Sequence, residues 1–221
     1  MSSGEPDEGG ELSEFEREGI ALARKRFGAL TGRQKAAQLT SLVVSPNLVG
    51  ALVYLVFLDA LNPENQLAWA VAGVYAFALH PLVYPLALVA TGRGDVYVTD
   101  RRMRFWPMVN ALGGYLVFLA FAGRDLGWDS FPVVFLEASV VLTAVVVVLS
   151  PRWKVSIHAA GNAVPFCALA FLSPWTLAFT IPLSLLVAWA RWTMRAHTPA
   201  QLLAGNLLGF LVPAALVPVL S

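Results

Sequence analysis

One cysteine, three histidines, and charged side chains on only 13% of its 221 residues: this chain is poor in the groups that build many functional sites. With Cys167 alone there is no disulfide framework. One Cys and three His cannot supply a Cys/His zinc site of the usual kind. A net charge of +1 gives no reason to expect nucleic acid as a partner. No Gly-x-Ser-x-Gly elbow occurs. The three lysines, Lys25, Lys35 and Lys154, all lie away from the middle of any apolar run, and paired aspartate-rich motifs are absent. The charged share is about half that of ordinary globular domains.

Hydrocarbon fills the space instead. Apolar residues make up 57% of the chain and the mean hydropathy is +0.66. A soluble fold could not cover that much apolar surface, so the composition predicts an all-α, polytopic integral membrane helix bundle of about six to seven spans. At roughly 20 residues per crossing, candidate spans fall near 41–61, 67–91, 106–122, 131–150, 153–172, 175–195 and 200–220. Asn62-Pro63, Ser150-Pro151, Ser173-Pro174 and Thr198-Pro199 each place a capping residue before a proline, a helix-start signature.

Residues 1–38 differ from the rest. Seven acidic residues fall between Glu5 and Glu18, and residues 1–10 read as a disordered tail rather than a signal peptide. Phe15, Ile20, Leu22, Phe27 and Leu30 alternate with Arg17, Arg24, Lys25, Arg26, Arg33 and Lys35. That pattern suits a helix lying on an anionic membrane surface, or a solvated helical lead-in. Residues 39–221 form the transmembrane unit. With seven spans, every Lys and Arg except Arg124 falls on one side, which the positive-inside rule makes cytoplasmic in a multi-pass cell-membrane protein.

Polar groups at membrane depth are costly and so informative. His80, beside Pro81, suits a packing role at a helix break. Glu137 is an intramembrane carboxylate that would suit a proton or ion path, or a small transporter. The densest stretch runs from Arg191 through His197 and Gln201 to Gly205, with Lys154, Ser156 and His158 upstream and Arg102 and Arg104 before those.

Arg191, His197 six residues on, and a small-residue Ala-Gly at 204–205 resemble the third motif of the type 2 phosphatidic acid phosphatase superfamily. Gln201 stands where that family has Asp, and Ala190 where it has Ser. Lys154-Val-Ser156-Ile-His158 is similar to the second motif, with Val155 and Ile157 in the Pro and Gly positions. Arg102 and Arg104, followed by Pro107, match the first motif only in their arginines. The resemblance spans roughly residues 95–210. It implies a phosphatase acting on a lipid phosphate or prenyl diphosphate among membrane lipids, without a cofactor. His197 would be the nucleophile and His158 the acid; Arg191, Arg104, Arg102, Lys154 and Ser156 would hold phosphate oxygens. Gln201 would orient His197, or reach back to Thr198 as a capping box. Two spans separate each motif from the next, so all three return to one membrane face. Loss of the Asp charge leaves open a relative that binds or flips an anionic lipid without turnover.

Overall fold

The computed structural model describes residues 13–220 except 24, 26, 94–97, 99–102 and 151. The tail at residues 1–10 and Arg102 therefore lie outside the described residues. Among those described, every regular element is helical. The order is α1 (Glu14–Ala23), α2 (Gly32–Val43), α3 (Pro46–Leu61), α4 (Gln66–Val74), α5 (Val83–Ala90), α6 (Phe105–Leu126), α7 (Phe131–Leu149), α8 (Ile157–Leu172), α9 (Leu177–Thr193) and α10 (Pro199–Leu220). A π-helical turn at Tyr75–Leu79 and a 3₁₀ turn at His80–Leu82 join α4 to α5.

Among the described residues, five stretches are long and apolar enough to cross a membrane: Gly32–Leu61, Gln66–Ala90, Phe105–Leu126, Phe131–Leu149 and Pro199–Val219. Helix α8, at 16 residues, is apolar but shorter than a full crossing. The outer surface agrees with a lipid solvent. Trp175, Leu67 and Phe179 are 84%, 79% and 72% exposed, an arrangement that water would penalise. The chain is thus a polytopic α-helical bundle.

Helix ends follow local chemistry, though not always where the proline signatures suggest. Thr198-Pro199 starts α10, and Ser173-Pro174 starts a 3₁₀ turn ahead of α9. Asn62 instead ends α3, in the left-handed region at φ 49°, and α4 begins only at Gln66. Asn tolerates that conformation, and the following proline cannot continue a helix, so the pair closes one helix rather than opening the next. Ser150 likewise caps the end of α7; the start of α8 is Ser156, whose Oγ accepts from the Ala159 N–H at 3.3 Å. Lys154 and Ser156 therefore sit on non-helical backbone before the helix rather than inside it. Ser45-Pro46, which opens α3, is a further signature of the same kind.

The core is built on aromatic side chains. Phe77 stacks on Phe135 with ring centroids 5.1 Å apart, and Tyr54, Phe57 and Phe118 close around them. At the α4–α5 break His80 and Asn110 satisfy each other: His80 Nε2 lies 3.0 Å from the Asn110 carbonyl oxygen, and Asn110 Nδ2 donates to the His80 carbonyl at 3.3 Å. His80 is thereby committed to the kink around Pro81.

Helices α8 and α10 pack most extensively of any described pair. Glycines permit it. A Cβ on Gly205 would lie 2.7 Å from the Ser156 carbonyl oxygen, and one on Gly209 would strike the Ala160 carbonyl oxygen. Such close backbone approach is the usual means of joining helices where lipid removes the hydrophobic drive between them. Replacing Gly209 by Val should therefore cost about 1–3 kcal/mol through overpacking, measured as a lowered unfolding midpoint in detergent; an unchanged midpoint would mean that the contact is not close.

Candidate functional site

Non-helical or helix-terminal residues from three places meet at one point: Val98 and Arg104 before α6, 153–158 leading into α8, and 191–198 between α9 and α10. The third owes its shape to a Schellman turn. The Ala196 N–H donates to the Arg191 carbonyl at 3.0 Å and the Arg195 N–H to that of Trp192 at 2.9 Å, with Arg195 left-handed at φ 53°. This reversal folds His197 back toward the last turn of α9, where Arg191 stands. A spacing of six residues is thus what a helix stop followed at once by a helix start requires.

Thr198 then caps α10. Its N–H donates to Gln201 Oε1 at 3.1 Å, and the Gln201 N–H to Thr198 Oγ1 at 3.4 Å. Of the two roles open to Gln201, the capping box is the one formed. His197 Nδ1 is buried with no hydrogen-bond partner among the described residues. The backbone at Gln201 contributes separately: its carbonyl accepts from the Ser156 N–H at 3.3 Å, tying the 153–156 segment to α10.

His197, Ser156, Arg191, Arg104 and Lys154 are all 5% exposed or less. Arg104 is held by carbonyls of irregular backbone, through Nε to Val98 O at 2.9 Å and Nη1 to Val155 O at 3.5 Å. Its Nη2 faces His197 Nε2 at 3.5 Å. A guanidinium only donates, so this contact requires a lone pair on Nε2 and places the imidazole proton on Nδ1. The Lys154 ammonium lies 3.7 Å from Glu16 Oε1 of α1. Burial, together with the charges of Arg104, Arg191 and Lys154 and with His158, holds His197 well below the usual histidine range. It is therefore a neutral imidazole with its Nε2 lone pair facing the cations.

A cavity of about 440 Å³ adjoins this cluster. His158, His197 and Arg104 line it. The remaining walls are mainly apolar, with Pro46 on α3, Phe77 and Pro81 at the α4–α5 break, Met108 and Tyr115 on α6, Phe135 and Leu142 on α7, and Val164 on α8; Ser41, Ser45, Asn47, Ser139 and Thr143 interrupt them. Lys154, Ser156 and Arg191 do not line the cavity, and the Ser156 hydroxyl is engaged as the α8 cap. Glu137 does not line the cavity; its Oε2 is buried without a partner among the described residues. No three His, Cys, Asp or Glu side chains come together among the described residues in a way that could hold a metal ion.

Sequence reasoning found Arg104, Lys154, Ser156, His158, Arg191 and His197 as a group; it missed Glu16. The signal was present as Ser13-x-x-Glu16, a capping box in the acidic stretch, but nothing local says that its carboxylate reaches Lys154.

Because folding depresses the His197 pKa, the unfolded chain binds its proton more tightly, starting near the ordinary value of about 6.5. The stability from keeping His197 neutral is present above that pH and is lost as pH falls below it. The unfolding midpoint of the wild type should fall more steeply between pH 7 and pH 5 than that of His197→Gln; parallel slopes would contradict the assigned neutral state. No family model, curated protein or solved structure matches this chain.

Proposed function

We propose that this protein is a membrane-embedded phosphatase, a divergent relative of the type 2 phosphatidic acid phosphatases, that cleaves a lipid phosphate or prenyl diphosphate through a phosphohistidine on His197. The observation that carries the reading is the amphipathic cavity, lined by two histidines and Arg104 and otherwise by mainly apolar walls. A phosphorylated lipid has the same division between headgroup and tail.

The residues divide the chemistry as follows. Phosphate oxygens take the Arg104 guanidinium, with Arg191 and Lys154 adding charge, in a low-dielectric setting where such contacts are strong. Engaging Arg104 frees the Nε2 lone pair of His197, which attacks phosphorus in line. The Nε2–P bond forms as the P–O ester bond breaks, and the leaving oxygen takes a proton from His158. The substrate's own negative charge favours the protonated form of His158 at that moment. Water then attacks phosphorus and gives a proton to His158. The Nε2–P bond breaks and inorganic phosphate leaves. The N-terminus of α8, capped by Ser156, adds a helix-end field that favours an anion. The basic segments would face the cytoplasm by the positive-inside rule.

One observation favours a second reading, a protein that binds the same lipids without turnover. Gln201 is spent on the α10 cap, and His197 Nδ1 lacks the acceptor that would stabilise its positive form. Activity decides between them. Detergent-purified protein should release phosphate from phosphatidate or a prenyl diphosphate, with His197→Ala lowering the rate at least about 10³-fold and His158→Ala about 10²–10⁴-fold. Saturable binding of either lipid without release would establish the second reading. Release that survives His197→Ala would overturn the mechanism.

A further inference from the structure

Helix α1 lies against the cationic cluster, and its hold there is uneven. The inner contact is buried: Glu16 Oε1 lies 3.7 Å from the Lys154 ammonium, with side chains 14% and 3% exposed. The outer contact is open: Glu18 Oε2 lies 3.6 Å from Arg195 Nε, both half exposed, and the Arg195 guanidinium sits 5.5 Å from the Phe15 ring centroid. Exposed pairs of that kind hold little and are screened by salt. Gly19 and Ala23 border a small void of about 10 Å³ beside Gln38, Ser41 and Arg191. A helix of ten residues is not stable by itself in water. Docking is what keeps α1 folded.

We propose that α1 is a displaceable anionic strap, in which the Glu16 carboxylate occupies the Lys154 ammonium that a phosphate would otherwise draw on. The inference rests on the phosphate-site reading above. Its physical basis is charge competition. Arg104, Lys154 and Arg191 repel one another, and Glu16 relieves part of that repulsion while the site is empty. A phosphate group brings its own negative charge to the cluster, so in the bound state Glu16 becomes a repulsive neighbour. Linkage then requires that phosphate binding weaken α1 docking, and that α1 docking weaken phosphate binding by the same factor.

Glu16→Gln is a clean probe. Glu16 is also the third residue of the α1 capping box, with Oε2 accepting from the Ser13 N–H at 3.2 Å and the Ser13 hydroxyl at 3.1 Å. Glutamine keeps an acceptor for that cap and removes only the charge. Inorganic phosphate and short-chain phosphatidate would be titrated in parallel against full-length wild type, Glu16→Gln and Glu18→Gln. The half-saturating concentration should fall about tenfold in Glu16→Gln for both ligands, and much less in Glu18→Gln. Phosphate added to the wild type should also speed amide hydrogen exchange across residues 14–23. Equal or weaker binding by Glu16→Gln would overturn the strap while leaving the phosphate site intact. A gain with phosphatidate alone would also overturn it, because the competition is for the phosphate group itself. Should Glu16→Gln fail to fold, unchanged or slowed exchange in wild-type α1 would be the contrary result. Absence of binding to any of the three proteins would overturn both readings.

Discussion

Burying Arg104, Lys154 and Arg191 around His197 in a chain this apolar is the constraint on which the rest of the structure depends. A cation taken out of water costs several kcal/mol unless oxygen atoms replace its hydration. Helical backbone offers few, because its carbonyls are spent on the i→i−4 ladder. The chain therefore places these cations where helices stop. Arg104 finds carbonyls at Val98 and Val155, both on irregular backbone. Lys154 stands on the irregular segment before α8, and Arg191 in the closing turn of α9. Breaks between helices supply both the residues and the acceptors that hold them.

That placement explains the close packing elsewhere. If the site is made of helix ends, its geometry is only as firm as the helices behind it. The glycine contacts between α8 and α10 bring Ser156 and His158 against the segment that carries His197. The Ser156-to-Gln201 backbone bond fixes the same junction. The aromatic core around Phe77 and Phe135, and the His80–Asn110 pair at the Pro81 kink, shape the apolar walls of the cavity. A cationic lining and mainly apolar walls are then continuous, which is the basis for proposing a phosphorylated lipid as ligand.

Much of this was legible in the residues because the signals are local. Apolar runs and their interruptions located the later helices to within a few residues, but the first membrane-length stretch begins at Gly32 rather than near 41, and α6 runs on to Leu126 rather than ending near 122. The Arg191–His197 spacing and Thr198-Pro-Ala-Gln201 could be read directly, since a Schellman turn and a capping box are completed within a few residues. Other features could not be read that way. Asn62-Pro63 and Ser150-Pro151 carry the same letters as a helix start, yet the left-handed tolerance of Asn and the helix-ending effect of proline serve equally well at a helix end. Glu16 and Lys154 are far apart in sequence and meet only when α1 packs on the bundle. Which of two roles Gln201 takes was likewise a question of competing acceptors in three dimensions.

The most direct test of the central claim is a structure of the protein with orthovanadate, which can mimic the five-coordinate phosphorus of an in-line transfer. The account predicts vanadium bonded to His197 Nε2, with its oxygens on Arg104, and His158 on the opposite, leaving-group side. Vanadate bound away from His197, or no vanadate in the cluster at saturating concentration, would contradict it.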